Sequence, residues 1–71
     1  MLHILDCRGL VCPMPLLKLK LKLKQMSSGD QLKLWLTDTG SKTDIPRWLN
    51  KVGMNHQTIQ TQDGLLILIK K

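Results

Sequence analysis

Cys12 stands in Cys-Pro-Met-Pro, just behind Asp6-Cys7-Arg8-Gly9-Leu10-Val11. The two prolines mark the entry of a helix, because a missing N–H and a fixed φ suit only its first turn. A thiol at that entry meets backbone N–H groups without intrahelical partners and the positive end of the helix dipole. Both favour the thiolate, the form of cysteine that does chemistry. Pro13 is expected at the first helical position and Pro15 in the same turn. Pro15 pushes Met14 away from the α region, so that turn is expected to be distorted. With Cys12 as the cap, its sulfur would accept from Met14 N–H but not from Pro15, which has none. The opposing reading is a buried, inert thiol acting as a small apolar side chain. It suits an isolated cysteine better than one in this setting.

Cys7 precedes Cys12 across a turn that contains Gly9. It is read as an auxiliary or incidental thiol. Two alternatives stay open: a redox partner that closes a disulfide with Cys12, and a metal ligand with Cys12 and His3 or His56. Two thiols without a second cysteine pair are poor zinc spacing, so no metal centre is expected. His3 and His56 read as strand-surface residues, not catalytic bases.

The elements that must position Cys12 follow from apolar periodicity. Leu2 to Leu5 reads as a first strand ending at Asp6 and Gly9. Leu17 to Lys24 alternates leucine and lysine, which taken alone argues strand. However, Leu16, Leu19, Leu23 and Met26 also form one helical stripe, and Leu and Lys are good helix formers and poor strand formers. The prolines supply a start and Ser27-Ser28-Gly29-Asp30 a stop, so the segment is read as helix. Leu17 and Leu21 then flank the stripe.

Gln31 to Thr37 reads as a second strand, with Leu32, Leu34 and Leu36 on one side and Lys33, Trp35 and Thr37 on the other. Asp38 to Lys42 reads as a polar loop. Thr43 or Asp44 is expected to cap a second helix with Pro46 in its first turn. Ile45, Trp48, Leu49 and Val52 form its stripe, and Gly53 ends it. His56 to Thr61 reads as a polar third strand, Asp63-Gly64 as a hairpin turn, and Leu65 to Ile69 as a fourth strand. Two helices cannot cover both faces of four strands. The expected fold is therefore α+β, a two-layer sandwich of order βαβαββ with both helices on one face. Trp35, Leu66 and Leu68 then mark the uncovered face, which would serve docking or self-association unless lysine stems shield it.

Seventy-one residues make one domain, 1–71. A chain of this size buries only about 60% of the surface its unfolded form exposes, so there is no room for a deep substrate pocket. That favours a carrier or binding module over a self-sufficient enzyme. The formal charge is +6, from eleven Lys and Arg against five Asp and Glu. Lys18, Lys20, Lys22, Lys24 and Lys33 concentrate it. Such a surface attracts acidic proteins, nucleic acid or anionic membrane, or simply solvates the protein. Both aromatic residues are tryptophans, Trp35 and Trp48. Without an aromatic platform, direct nucleic-acid binding is not the favoured reading. Met1-Leu2-His3-Ile4-Leu5 runs at once into Asp6, which is not a secretion signal, and no apolar run reaches membrane-span length. Two cysteines in that context read as cytoplasmic thiols.

Leu5-Asp6-Cys7-Arg8-Gly9-Leu10-Val11-Cys12-Pro13-Met14-Pro15 resembles the TusA/SirA-like sulfur-carrier family, whose signature is a Leu-Asp, a following Gly and a Cys-Pro-x-Pro opening the first helix. Ser28-Gly29-Asp30 is similar to the family's turn before the second strand, and Asp44-Ile45-Pro46 to its Asp-Ile-Pro. The resemblance covers essentially the whole chain and implies two helices against a four-stranded mixed sheet. It also implies that Cys12 carries sulfane sulfur as a persulfide. The donor would be a cysteine desulfurase or rhodanese-type protein, the recipient an acceptor sulfurtransferase protein. Transfer RNA thiolation, sulfur oxidation and cofactor synthesis are the downstream routes it suggests.

By the same resemblance, Pro13 and Pro15 shape the helix entry, Gly9 permits the turn and Asp6 anchors the loop. Arg8 beside the helix mouth would stabilise the persulfide anion. No cofactor is implied beyond the covalent sulfur. Two other functions compete: a dithiol redox protein using Cys7 and Cys12, and a charge-driven regulatory or nucleic-acid-binding module.

Overall fold

The computed structural model describes residues 1–71. The elements are β1 (Leu2–Cys7), α1 (Met14–Gln25), β2 (Gln31–Leu36), α2 (Thr39–Lys51), β3 (Asn55–Gln60) and β4 (Leu65–Lys70). They form one four-stranded sheet in the order β1-β2-β4-β3. β1 runs parallel to β2, with Leu5 opposite Leu34 and Cys7 opposite Leu36. β4 pairs antiparallel with both β2 and β3. The sheet is therefore mixed, and the fold is the α+β sandwich that the sequence predicts.

Alternation in the strands sorts the two faces. Cys7, Leu32, Leu34, Leu36, Ile67 and Ile69 point one way and are almost fully buried. They share a core with Leu19, Leu23 and Met26 at α1 and with Ile45 and Leu49 of α2. Both helices thus cover the same face. The core holds 11 apolar residues, too few to enclose a cavity.

α1 settles the conflict between two periods. Leu19 and Leu23 are buried, while Leu17 and Leu21 remain 49% and 61% exposed. A strand would have put all the leucines on one side. Lys22 and Lys24 lie in the last turn, where positive charge suits the helix dipole. Lys71 Nζ donates to the carbonyls of Leu23 and Met26 at the end of the helix, where carbonyls run short of intrahelical partners; Leu23 also accepts from Met26 N–H at 3.3 Å.

The second helix departs from expectation. It begins at Thr39, not at Thr43 or Asp44, and Asp38 is its cap. Asp38 Oδ2 accepts from Ser41 N at 2.9 Å and from Ser41 Oγ at 3.1 Å. A carboxylate three residues ahead of an open N–H is a helix start signal. Here it outweighs the loop-like composition of Thr39-Gly40-Ser41-Lys42. Pro46 consequently lies inside the helix. Val52, expected in the apolar stripe, is 48% exposed.

The opposite face of the sheet has no helix over it. Ile4 is 63% exposed, and Trp35, Leu66 and Leu68 are half-buried. Arg8 lies over the Trp35 ring at 5.2 Å from its centroid, so a guanidinium covers part of the apolar surface.

The candidate sulfur site

The site is the loop from Arg8 to Pro13, between β1 and α1. Its first anchor is Asp6. Asp6 Oδ1 accepts from Arg8 N at 3.0 Å and from Arg8 Nε at 2.9 Å, and Oδ2 accepts from the guanidinium at 2.8 Å. Chiefly through this side-chain pair, Asp6 is held at about 2. Gly9 makes the turn at φ 83°, a conformation a side chain opposes. Its N–H donates to Thr37 Oγ1 at 2.9 Å.

Cys12 follows as the exposed thiol. Its backbone N–H donates to Asp38 Oδ2 at 3.2 Å. Its Sγ donates to Asp44 Oδ2 at 3.6 Å. A β-carbon on Gly40 would lie 3.6 Å from Cys12 Cβ, so the cysteine packs against the first turn of α2. Thr37 and Asp38 join β2 to α2, and together they hold both ends of the Gly9–Cys12 segment.

Three expectations change here. First, Cys12 is not the cap of α1. Pro13 takes that position, Met14 begins the helix and Pro15 comes second. Met14 N–H donates to the Val11 carbonyl at 3.0 Å, so it is not free for the sulfur. Second, the thiol is not primed toward thiolate. Lost hydration pushes Cys12 up, and the Asp44 hydrogen bond and the charges of Asp44 and Asp38 add to it. Desolvation and the two carboxylates all disfavour the charged form. Third, Arg8 does not serve the sulfur. Asp6 and Trp35 occupy it, and it is absent from the charges that act on Cys12.

Cys7 is fully buried in the core, and burial pushes its thiol up. Both thiols are free, Cys7 inside the core and Cys12 at the surface, which does not favour the redox reading. His3 Nε2 bonds Asp30 at 3.0 Å and His56 Nδ1 bonds the Met54 carbonyl at 3.1 Å. Neither histidine meets a cysteine, and no cluster of three His, Cys, Asp or Glu side chains could hold a metal.

Sequence reasoning did not place Asp38 and Asp44 at the cysteine. Asp38 was visible only within a loop, and Asp44 as a helix cap and as the first residue of Asp-Ile-Pro, because the contacts with Cys12 span 26 and 32 residues.

The family described as "Sulfurtransferase TusA" matches residues 3–71. The chain belongs to the TusA family. Several sulfur carrier proteins align with most of this chain. A "putative sulfur carrier protein" of Archaeoglobus fulgidus is 34% identical over 71 residues, covering 96% of this chain and 94% of that protein. The "sulfur carrier protein TusA" of Pseudomonas putida is 37% identical over 60 residues, covering 84% of this chain and 72% of that protein. The "putative sulfur carrier protein YrkF" of Bacillus subtilis is 37% identical over 63 residues. The aligned part is 89% of this chain but only about a third of YrkF (34%).

A crystal structure of a SirA-like protein from Desulfitobacterium hafniense superposes with a TM-score of 0.79. It covers 96% of this chain and 93% of its own at 17% identity, which supports the TusA-family fold. No helix is long and apolar enough to cross a membrane.

Proposed function

We propose that this protein is a sulfur carrier that accepts sulfane sulfur as a persulfide on Cys12 and relays it to an acceptor protein. The observation that carries this reading is the exposure of Cys12, in the Cys-Pro-Met-Pro of a TusA-family chain. A cysteine desulfurase or rhodanese-type protein is the donor, and a sulfurtransferase protein is the acceptor. The relatives, named as sulfur carrier proteins, support the same role.

In loading, Cys12 Sγ loses its proton and attacks the outer sulfur of the donor's persulfide. A new S–S bond forms, the donor's S–S bond breaks, and the donor cysteine leaves as a thiolate that takes up a proton. In delivery, an acceptor thiolate attacks the outer sulfur on Cys12, the Cys12 S–S bond breaks, and Cys12 regains a proton. The exchange has no net oxidation. A protruding thiol suits it, because two partner cysteines must reach the same atom. The thin core suits a relay component better than a free-standing enzyme. Cytoplasmic reduced thiols and routes such as tRNA thiolation or sulfur oxidation accord with this reading.

The test is intact-mass analysis after incubation with a desulfurase and cysteine. The wild type should gain one sulfur atom, Cys7→Ser should keep that gain, and Cys12→Ser should lose it. A folded wild type that gains nothing, or an adduct that maps to Cys7, would overturn the proposal.

A further inference from the structure

Asp38 and Asp44 both reach Cys12, but their situations differ. Asp38 Oδ2 already receives three donors: Ser41 N, Ser41 Oγ and Cys12 N. These bonds, led by Ser41 N–H, hold Asp38 below the usual carboxylate range. Asp44 accepts only the Cys12 thiol. The ion pairs of the molecule involve Asp30 and Asp6, so Asp44 has no cationic partner in a chain of net charge +6. The charged groups that act on Cys12 are Asp38 at the cap of α2 and Asp44 within it. The loop's own cation, Arg8, is engaged by Asp6.

We propose that Asp44 is a brake on Cys12: its carboxylate holds the thiol hydrogen in the free carrier, and a sulfur-exchanging partner releases the thiol by setting a cationic side chain against Asp44. This deepens the sulfur-carrier reading and rests on it for what the partner does. With the carboxylate's charge met, the S–H proton passes to water and the thiolate attacks the incoming sulfur. The same cation eases the departure of Cys12 as a leaving thiolate, which is faster when its conjugate thiol is more acidic. Between partners, the carrier then resists adventitious alkylation and oxidation. The selectivity runs against the molecule's overall charge. A +6 surface attracts anions, whereas the mouth at Cys12 selects cations.

Two measurements on the folded protein test this. In the first, iodoacetamide alkylation of Cys12 is followed by mass across pH. Asp44→Asn should shift the profile to lower pH and raise the neutral-pH rate about threefold to tenfold. Asp63→Asn, which removes a charge elsewhere, should not. In the second, Cys12 reacts with cystamine, a cationic disulfide, and with dithiodiglycolate, an anionic one. The wild type should prefer cystamine at low salt, and the preference should shrink in Asp44→Asn and with added salt.

An unshifted pH profile in Asp44→Asn, or a wild type that prefers the anionic disulfide at low salt, would overturn the brake. The wild-type arm stands even if the variant does not fold. Failure of desulfurase loading would instead remove the carrier reading and leave these rates intact.

Discussion

Gly64 lies against the Leu36 carbonyl so closely that a β-carbon there would overlap the oxygen. The turn before β4 thus touches the end of β2, beside the connector that holds the sulfur loop. Gly64 also closes its own turn, donating to Thr61 Oγ1 at 3.0 Å and accepting from Thr61 N at 2.9 Å. Gly64→Ala must displace backbone, and it should destabilise the protein by about 1–3 kcal/mol. Gly9→Ala meets no neighbouring atom and faces only the left-handed backbone cost of about 1 kcal/mol. Urea unfolding should rank Gly64→Ala as the more damaging; the reverse order would contradict this contact.

Asp38 is a stability determinant as well as a neighbour of Cys12. Asp38→Ala removes the cap of α2 and leaves Ser41, only 2% exposed, without its acceptor. A loss of about 1–2 kcal/mol is expected. Asp38→Asn keeps an acceptor oxygen and should cost less. Thermal unfolding of the two variants measures the difference, and equal losses would point to charge in place of capping.

Cys7 and Cys12 should separate cleanly under substitution. Cys7→Ser buries a hydroxyl among apolar side chains and should cost about 1–3 kcal/mol. Cys12→Ser changes an exposed group and should leave the melting temperature nearly unchanged. Free-thiol titration of the folded wild type should show Cys12 reacting first, with Cys7 accessible only on unfolding. Equal reactivity of both thiols would refute the burial of Cys7.

The acid limb of stability has a defined sign. Asp6 sits at about 2 in the fold against 3.8 ordinarily, and Asp38 and Asp30 are shifted the same way. A lowered carboxylate stabilises the fold above its ordinary value, and that contribution disappears as pH falls through the folded value. Stability should therefore decline from about pH 4 toward pH 2. Asp6→Asn should reduce that slope when circular dichroism follows the acid titration. Because Asp6 is exposed, the change should be small. Cys7 is raised in the fold, so it acts oppositely and withdraws stability above about pH 9.

Local chemistry was legible in the sequence wherever neighbours in the chain decide the outcome. The helix-compatible stripe of Leu19, Leu23 and Met26, the polar edge strand at β3 and the Asp63-Gly64 turn all follow from short-range pattern. The start of α2 was not legible, because Thr39-Gly40-Ser41 has loop composition and only the folded Asp38 side chain makes it helical. The protonation preference of Cys12 was hidden for a related reason. It depends on lost hydration and on carboxylates brought in by another element, whereas the dipole argument considered only the helix that follows the cysteine. Arg8 was misassigned because Asp6, two residues away, competes for it more strongly than a sulfur across the loop.

Thr37 and Asp38 are successive residues, and they grip Gly9 and Cys12 respectively. The intervening loop is therefore stitched at two points to a single junction, and the Cys12 β-carbon faces Gly40 of the helix beyond. Cys12 is thus hydrogen-bonded to the second helix and its cap, although the chain runs directly from it into the first. Whatever fixes the second helix therefore also fixes Cys12.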